Sequence, residues 1–210
     1  MQDANSPEWI AWQSATELRH HLLSGGALPE IPAPPVNFGQ GLRFHADLRL
    51  GYSRWYAAEV TYARSSALAF GSPGFVVSAL AINAIGNSVR RSRALALAIP
   101  QWREHQMVPA ILTSQCIVTF AASRWQFWYF NRIMTITPVF AEHSAIFTFD
   151  GNLEPLRLQG VAAAWLSAAA AYLVFGVDYL CANPNFSRMG PSYDKVRGAT
   201  DQQERIRELP

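Results

Sequence analysis

The feature that most constrains the fold is the stretch from His105 to Gly176. It begins with several short runs of alternating apolar and polar residues and ends in an Ala-rich apolar run. Alternation with a period of two is typical of half-buried strands, and a longer run of helix-forming residues is typical of a buried helix. The stretch therefore predicts a small antiparallel sheet covered by a C-terminal helix, which is an α+β arrangement.

Turn signals divide the sheet-forming part into strands. A bend is predicted at Thr113-Ser114, and Asp150-Gly151 is a strong hairpin signal because both residues tolerate the positive φ of a tight turn. Between them, the strand from Arg124 to Phe130 places aromatic residues on both of its faces, and residues 133–137 look buried on both faces. We therefore expect an antiparallel meander that forms a sharply bent sheet or a small barrel.

The Ala-rich run at residues 160–176 is predicted to be the covering helix. Gly160 precedes it, and Gly176 can end it in the left-handed conformation that glycine adopts after many helices. Trp165, Tyr172 and Leu173 form the stripe that we expect to face the sheet.

Residues 1–41 are predicted to form a helix and an extended arm outside this sheet. Ser6 and Pro7 supply an N-cap and a first helical position, and Ser24 with the two glycines after it ends the helix. Residues 25–41 are rich in proline and glycine, which excludes regular structure there.

Residues 42–62 predict a hairpin. Apolar and polar residues alternate from Leu42 to Leu50, a turn is expected at Gly51-Tyr52-Ser53, and a second strand is expected from Trp55 to Tyr62. Arg54 and Trp55 are candidates for contacting an anionic group or a partner, since Arg offers charged donors and Trp a large apolar surface.

Residues 73–99 predict an additional long apolar helix. Residues 67–85 contain no charged residue, and Arg90, Arg91 and Arg93 follow, as expected for a segment next to the inner side of a membrane. Two alternatives stay open. The helix packs on a partner or a second copy, or it enters or lies on a membrane whose acidic lipids the three arginines contact.

The low charge content favours an extra buried surface. Only 15% of the residues are charged, compared with about 25% in an average soluble domain. Cys116 and Cys181 form no C-x-x-C pair, which predicts a reduced, intracellular chain. The N-terminal residues lack the apolar core of a signal peptide.

No motif for phosphate binding, dinucleotide binding, zinc hydrolysis or a nucleophilic serine is present. We therefore predict no catalytic residue, no cofactor and no metal site. Arg124 and Trp125 are candidates for stacking on a partner, and such pairs also stack on single-stranded nucleic acid. The sequence shows no Lys/Arg-rich face, which argues against nucleic acid as the partner.

Several segments resemble bacterial pleckstrin-homology-like (PH-like) domains. They are QMVPAILTSQCIVTF, with its Leu112-Thr113 step, the aromatic strand RWQFWYFNRIMTI and the closing helix. A wider frame resembles a group of actinobacterial proteins of unknown function over about residues 50–178, through SRWYAAEVTY, GSPGFVVSALAINAIGNSVRRSRALA, PQWREHQ and EPLRLQG. The resemblance implies a PH-like bent sheet or small barrel with a capping helix and carries no catalytic residue.

Together these observations predict a helix and arm at 1–41, a PH-like domain at 42–180 with the long helix inserted, and a polar flexible tail at 181–210. The expected function is a non-enzymatic intracellular interaction module that binds protein partners, in the cytoplasm or peripherally at the inner face of the membrane. The alternatives are a self-associating structural or regulatory protein and a binder of small ligands or nucleic acid that uses the aromatic strand. The candidate interaction residues are Arg90, Arg91, Arg93, Arg54, Trp55, Arg124 and Trp125.

Overall fold

The structure is a computed structural model that describes residues 6–39, 41–57 and 99–189. The chain divides into two compact units, one comprising Met1–Arg54 with Glu104–Pro210 and the other comprising Trp55–Arg103. The long helix predicted at 73–99 lies outside the described residues, apart from Ile99, which is in a bend.

The first helix, α1, spans Pro7–Leu23 and confirms the prediction from the capping residues. The Trp9 backbone N–H donates to Ser6 Oγ at 3.2 Å, so that one of the otherwise unpaired N–H groups of the first turn is satisfied. Ser24 ends the helix, and Gly25 follows it with φ of 84°. This turn redirects the chain because glycine has no Cβ to oppose a positive φ.

Seven strands form one antiparallel sheet. Their bounds are β1 Phe44–Tyr56, β2 Gln101–Thr113, β3 Cys116–Ala121, β4 Arg124–Tyr129, β5 Ile133–Val139, β6 Ser144–Phe149 and β7 Leu156–Gln159. They lie in the order β4-β3-β2-β1-β7-β6-β5. Consecutive strands β4 and β5 therefore lie at opposite edges, and within the described residues the sheet is not closed into a barrel. The predicted α+β class with an antiparallel sheet is confirmed.

In the described part of the chain, three helices follow the sheet: α2 at Ala163–Phe175, α3 at Val177–Ala182 and α4 at Pro184–Ser187. α2 packs against β5 and β6 and also against α1. Residues 168–171 of α2 are all Ala and fully buried. Small side chains suit this position because the helix has a close neighbour on two sides, which leaves little room for larger residues.

The inner face of the sheet carries the main core, which it shares with α1 and α2. Its largest fully buried side chains are Tyr52, Phe147, Leu22, Leu50, Leu112, Ile117, Ile136, Leu156, Leu158, Leu166, Leu180 and Phe186. Each such side chain contributes about 1.5–3 kcal/mol of transfer free energy when it leaves water. This core determines which face of every strand is covered.

A second, smaller cluster lies apart from the main core. It contains Phe44, Ile111, Cys116 and Val118, and the partly buried residues Ile31, Phe38, Leu42 and Trp125 pack against it. Ile31 and Phe38 belong to the arm, so the proline-rich segment covers part of the β1–β4 side of the sheet. The Ile31 N–H donates to the Phe44 carbonyl at 2.8 Å, which pairs the arm with the start of β1.

The predicted turn at Gly51-Tyr52-Ser53 is wrong, because β1 continues through these residues to Tyr56. Gly51 lies opposite Gln159 of β7, where an added Cβ would come within 3.3 Å of the Gln159 carbonyl oxygen. Glycine is therefore present at position 51 because the two strands approach each other closely, and not because the chain turns there.

The predicted alternation also fails at His45. This residue is buried, and its Nδ1–H donates to the Pro29 carbonyl at 2.8 Å.

A further prediction about faces is wrong. Residues 133–137 are not buried on both faces, because Met134 is 62% exposed and Thr135 is also exposed. In α2, the residues of the predicted stripe, Trp165, Tyr172 and Leu173, are half-buried and pack against the main core, whereas Leu166 and the alanines at 168–171 are fully buried. The most enclosed side of α2 carries small residues because it has little room between its neighbours, and the larger side chains lie toward the edges of that side.

The packed structure extends past the predicted boundary at residue 180. Phe186 in α4 is fully buried and its ring lies 6.0 Å from that of Tyr179.

Gly176, which ends α2, has φ of 83° and ψ of −179°. This region is open to glycine but differs from the left-handed helical conformation expected there. In the described part of the chain, no helix is both long enough and apolar enough to cross a membrane.

Candidate functional site

The free edge of β4 is the most distinctive feature of the surface. β4 pairs with β3 in a regular antiparallel ladder that runs from Cys116↔Tyr129 to Ala121↔Arg124. Among the described residues, no strand pairs with the other side of β4. Its outward backbone N–H and C=O groups therefore face no other strand there.

The hydrogen bonding of the ladder shows which residues point to that free edge. The Phe130 N–H donates to the Gln115 carbonyl at 3.0 Å, so the opposed residues 115 and 130 form a hydrogen-bonded pair. In an antiparallel ladder such pairs alternate with non-bonded pairs. Residues 124, 126 and 128 therefore bond to β3, and the backbone groups of residues 125, 127 and 129 point to the free edge.

The same three residues of β4 carry an aromatic row. Five rings form a continuous series of contacts: Phe120–Trp125 at 5.0 Å, Trp125–Phe38 at 4.8 Å, Phe38–Phe127 at 6.1 Å and Phe127–Tyr129 at 6.2 Å between centroids. We call these five residues, Phe38, Phe120, Trp125, Phe127 and Tyr129, the aromatic surface. Phe38 comes from the arm, so the surface combines two parts of the chain that are distant in sequence.

Much of the aromatic surface is accessible to solvent. Tyr129 is 51% exposed, Phe120 39% and Phe127 38%, whereas Trp125 and Phe38 are half-buried. Single exposed apolar residues are common on proteins, but contiguous groups of them mark interaction sites. Aromatic residues are also the type enriched in protein interfaces.

The opposite side of β4 is firmly anchored in the core. Trp128 Nε1–H donates to Thr119 Oγ1 at 3.0 Å, and the Tyr52 hydroxyl donates to Gln126 Oε1 at 2.8 Å. Burial raises the pKa of Tyr52, because the ionised phenolate would lose its hydration, although the nearby Arg54 opposes the shift. A neutral Tyr52 therefore keeps the hydroxyl donor that holds Gln126 on the inner face.

Charge along β3 and β4 is sparse. No Asp or Glu occurs between Glu104 and Glu142 in the sequence. Arg132 pairs with Asp150, whereas Arg124, at the start of β4, is exposed and takes part in none of the ion pairs between described residues. The surface is therefore apolar with one cationic end.

The arm is held in place by a few polar contacts that bring Phe38 onto the sheet. His45 bonds to the Pro29 carbonyl, and Arg43 Nη1 donates to Glu30 Oε1 at 3.1 Å. The Ser114 N–H donates to the Arg43 carbonyl at 2.8 Å, which fixes the start of β1 beside the β2–β3 turn. The ring of Phe38 then meets Trp125 edge-on, an arrangement that aromatic pairs favour.

The predicted interaction residues are distributed over different environments. Arg124 and Trp125 are neighbours at the start of β4. Arg54 has a side chain only 14% exposed, forms an ion pair with Glu154 and lies with its guanidinium 5.0 Å from the centre of the Trp128 ring. It is therefore an internal contact of this unit and is poorly placed to meet a partner.

Trp55 belongs to the second unit, where it is partly exposed and its ring lies 5.3 Å from that of Trp102. In the same unit, Arg103 Nε–H donates to the Tyr56 carbonyl at 3.0 Å. The remaining candidates, Arg90, Arg91 and Arg93, lie outside the described residues.

Sequence reasoning proposed the aromatic strand only as the surface of a small-ligand or nucleic-acid binder, with Arg124 and Trp125 as its candidate residues. The alternation of RWQFWYF correctly separates Trp125, Phe127 and Tyr129 from the buried Trp128 and Phe130, but it does not show that β4 is an edge strand. Nothing in the sequence near Phe38 signals that this residue reaches β4. Only the strand order and the path of the arm bring these residues together.

The described residues show no metal-binding cluster, and a small cavity lies beside α1 and α2. Residues 6–39, 41–57 and 99–189 contain no group of three or more His, Cys, Asp or Glu side chains arranged to hold a metal ion. A cavity of about 10 Å³ lined by Glu8, Trp12, Phe140, His143 and Ser144, with Val161 and Ala164, is large enough for one water molecule. It therefore has no room for a substrate.

Comparison of the chain with protein-family models, with curated proteins and with solved structures finds no match.

Proposed function

We propose that this chain is a non-enzymatic interaction module with a PH-like fold that binds a protein partner through the aromatic surface. The observation that carries the proposal is the exposed row of rings on β4, at the edge of the sheet. The low charge of the chain also supports it, because interface cores are depleted in charged residues. The PH-like assignment is supported by seven antiparallel strands followed by a helix on the sheet.

The proposal includes a cytoplasmic location, with the module peripheral on the inner face of a membrane. Its support is the sequence around Arg90, Arg91 and Arg93, where a run without charge is followed by three arginines. Cationic side chains next to an acidic membrane surface contribute about 1 kcal/mol each. The wild-type chain should therefore co-sediment with vesicles that contain phosphatidylserine, and the variant with all three arginines changed to Glu should stay in the supernatant. Equal sedimentation of both proteins would remove this part of the proposal.

A library of random peptides displayed on phage tests protein binding at the aromatic surface. Peptides enriched on the full chain are synthesised with a fluorophore, and their affinity is measured for the wild type and for Tyr129→Asp. Loss of the exposed ring should weaken binding by about tenfold or more, the effect of removing roughly 1.4 kcal/mol of contact free energy. Tyr129 is half exposed, so the substitution should leave the fold intact.

Met134→Asp is the matched control, since Met134 is an exposed apolar residue on the opposite edge strand, β5. The control should bind the peptides as the wild type does. The proposal fails if no peptide is enriched over an uncoated surface, or if Met134→Asp weakens binding as much as Tyr129→Asp.

A further inference from the structure

We propose that the partner of the aromatic surface binds as an added β-strand along the free edge of β4, in the form of an extended protein segment with an acidic residue beside Arg124. This inference rests on the proposed function and specifies its binding mode. It starts from the backbone groups of residues 125, 127 and 129, which point away from β3. An extended chain is the ligand whose own N–H and C=O groups repeat with the spacing of such a row.

The side chains of β4 strengthen this match. The residues that present outward backbone groups are Trp125, Phe127 and Tyr129, and the same residues form the aromatic row. A strand added to the sheet would lie about 4.8 Å from β4. Its side chains on the same face would then contact the rings of Phe127 and Tyr129 directly, as cross-strand neighbours do.

The geometry of β4 favours this pairing. The β3–β4 ladder keeps one register over all six residues of β4. Natural edge strands commonly carry a bulge, a proline or a lysine that blocks addition of another strand. β4 contains none of these, and its central residues Gln126 and Trp128 are held from the inside by Tyr52 and Thr119.

Charge selects an acidic segment. The chain has no acidic residue between positions 105 and 141, an interval that includes the whole of β4. Arg124, the first residue of β4, is exposed. A carboxylate on the added strand would have a cationic neighbour and no repelling acid on β4. A second copy of this chain would present the same acid-free strand, so its charge would not be complementary.

Amide hydrogen exchange tests the added strand on the full, isotope-labelled chain, with the peptide enriched from the displayed library as the probe. In the free chain, the amides of residues 125, 127 and 129 should exchange quickly and those of 126 and 128 slowly. The peptide should slow exchange at 125, 127 and 129 by about tenfold or more, because these amides become hydrogen-bonded. A peptide that is sensitive to Tyr129→Asp but leaves the three amides unchanged overturns the added strand and leaves the proposed function standing.

A pair of variants at one position gives an independent measurement. Phe127→Ala removes the ring but keeps the outward N–H, whereas Phe127→Pro removes both. Because this N–H does not bond to β3, proline should preserve the β3–β4 ladder, which is checked by the slow amides of Gln126 and Trp128. Strand addition predicts that the proline variant binds at least about fivefold more weakly than the alanine variant, the effect of one lost hydrogen bond; equal affinities overturn it.

The charge is tested by exchange of signs. Arg124→Glu should weaken an acidic peptide by roughly two- to fivefold, and a peptide with Lys in place of its acid should recover that loss. If the enriched peptides carry no acid, or if both peptides respond equally to the variant, the acidic segment is overturned.

Two other occupants of the edge have distinct outcomes. If exchange at 125, 127 and 129 slows with protein concentration in the absence of peptide, the edge belongs to a second copy. If a thymidine oligonucleotide displaces the peptide and itself depends on Tyr129, the surface belongs to single-stranded nucleic acid. Either result overturns an acidic segment of another protein as the partner.

Discussion

The two edges of the sheet differ in how they resist further pairing. β5, at one edge, shifts register between Ile133 and Thr135 and contains Pro138, two features that interrupt a ladder. β5 also packs against α2 and α4. β4, at the other edge, is regular, lacks proline and exposes two aromatic residues, Phe127 and Tyr129.

The difference shows that one edge of this sheet, β5, is protected against further pairing by its register shift, by Pro138 and by the helices packed on it. A free edge with regular geometry and apolar side chains favours aggregation unless it has a partner. β5 avoids this hazard through its irregular backbone, and β4 does not. We therefore interpret β4 as the edge that is kept open for binding.

The largest expected effect concerns the inner anchor of β4. Trp128 is 5% exposed and packs beside Tyr52 and Phe149, so Trp128→Ala should lower the free energy of unfolding by about 3–5 kcal/mol. Urea denaturation followed by circular dichroism measures this change. Tyr129→Ala, one residue further along the same strand, should change it by less than about 0.5 kcal/mol; similar losses from both variants would contradict the separation of the two faces of β4.

The variant Phe186→Ala tests whether α4 protects the β5 edge of the sheet. This residue of α4 is fully buried and α4 contacts β5. Phe186→Ala should therefore cost about 3 kcal/mol and should speed amide exchange in β5. Arg188→Ala, at an exposed position just after α4, should leave both quantities unchanged. Unaltered exchange in β5 on loss of Phe186 would show that α4 does not protect this edge.

The turn between β3 and β4 should yield a gain in stability. Ala122 and Ser123 both have positive φ, 50° and 61°, which disfavours residues with a Cβ. Ser123→Gly should raise the free energy of unfolding by about 1 kcal/mol and slow exchange at Gln126 and Trp128. Asn152→Gly, at a turn position where φ is not positive, should bring no gain. An equal gain there would indicate a general effect of glycine in loops.

The smallest expected effect is a pH dependence linked to β4. Burial raises the pKa of Tyr52 above its ordinary value of 10.0. The neutral form is thus favoured by folding, and its contribution is complete below about pH 10 and is lost as the pH rises through the folded-state pKa. Thermal unfolding between about pH 8 and 11 should show a steeper loss for the wild type than for Tyr52→Phe, which cannot ionise. Parallel curves would exclude this contribution.

Local patterns predicted the elements whose neighbours are close in sequence. Ser6, Pro7 and the glycines after Ser24 correctly bounded α1, and the alternation in RWQFWYF correctly separated the faces of β4. The turn predicted at Gly51 is wrong because glycine occurs both in turns and where two strands approach closely. Only the position of β7 distinguishes the two cases.

The candidate site was predicted only in part, for the same reason. Arg124 and Trp125 were identified as a possible contact pair, and both lie on β4. Arg54 looked equally exposed in the sequence but forms an ion pair with Glu154, far away along the chain. Phe38 could not be assigned to the site, because its position depends on the path of the whole arm.

By itself, the sequence determined the α+β class, the caps of α1, the Ala-rich helix and the two-faced character of β4, because these follow from short-range spacing and backbone preferences. The tertiary structure decided that β4 and β5 lie at opposite edges, that α2 packs against both α1 and the sheet, and that Phe38 completes an aromatic surface. Such features depend on which distant segments share a buried face, and the free energy of that burial is a property of the assembled chain.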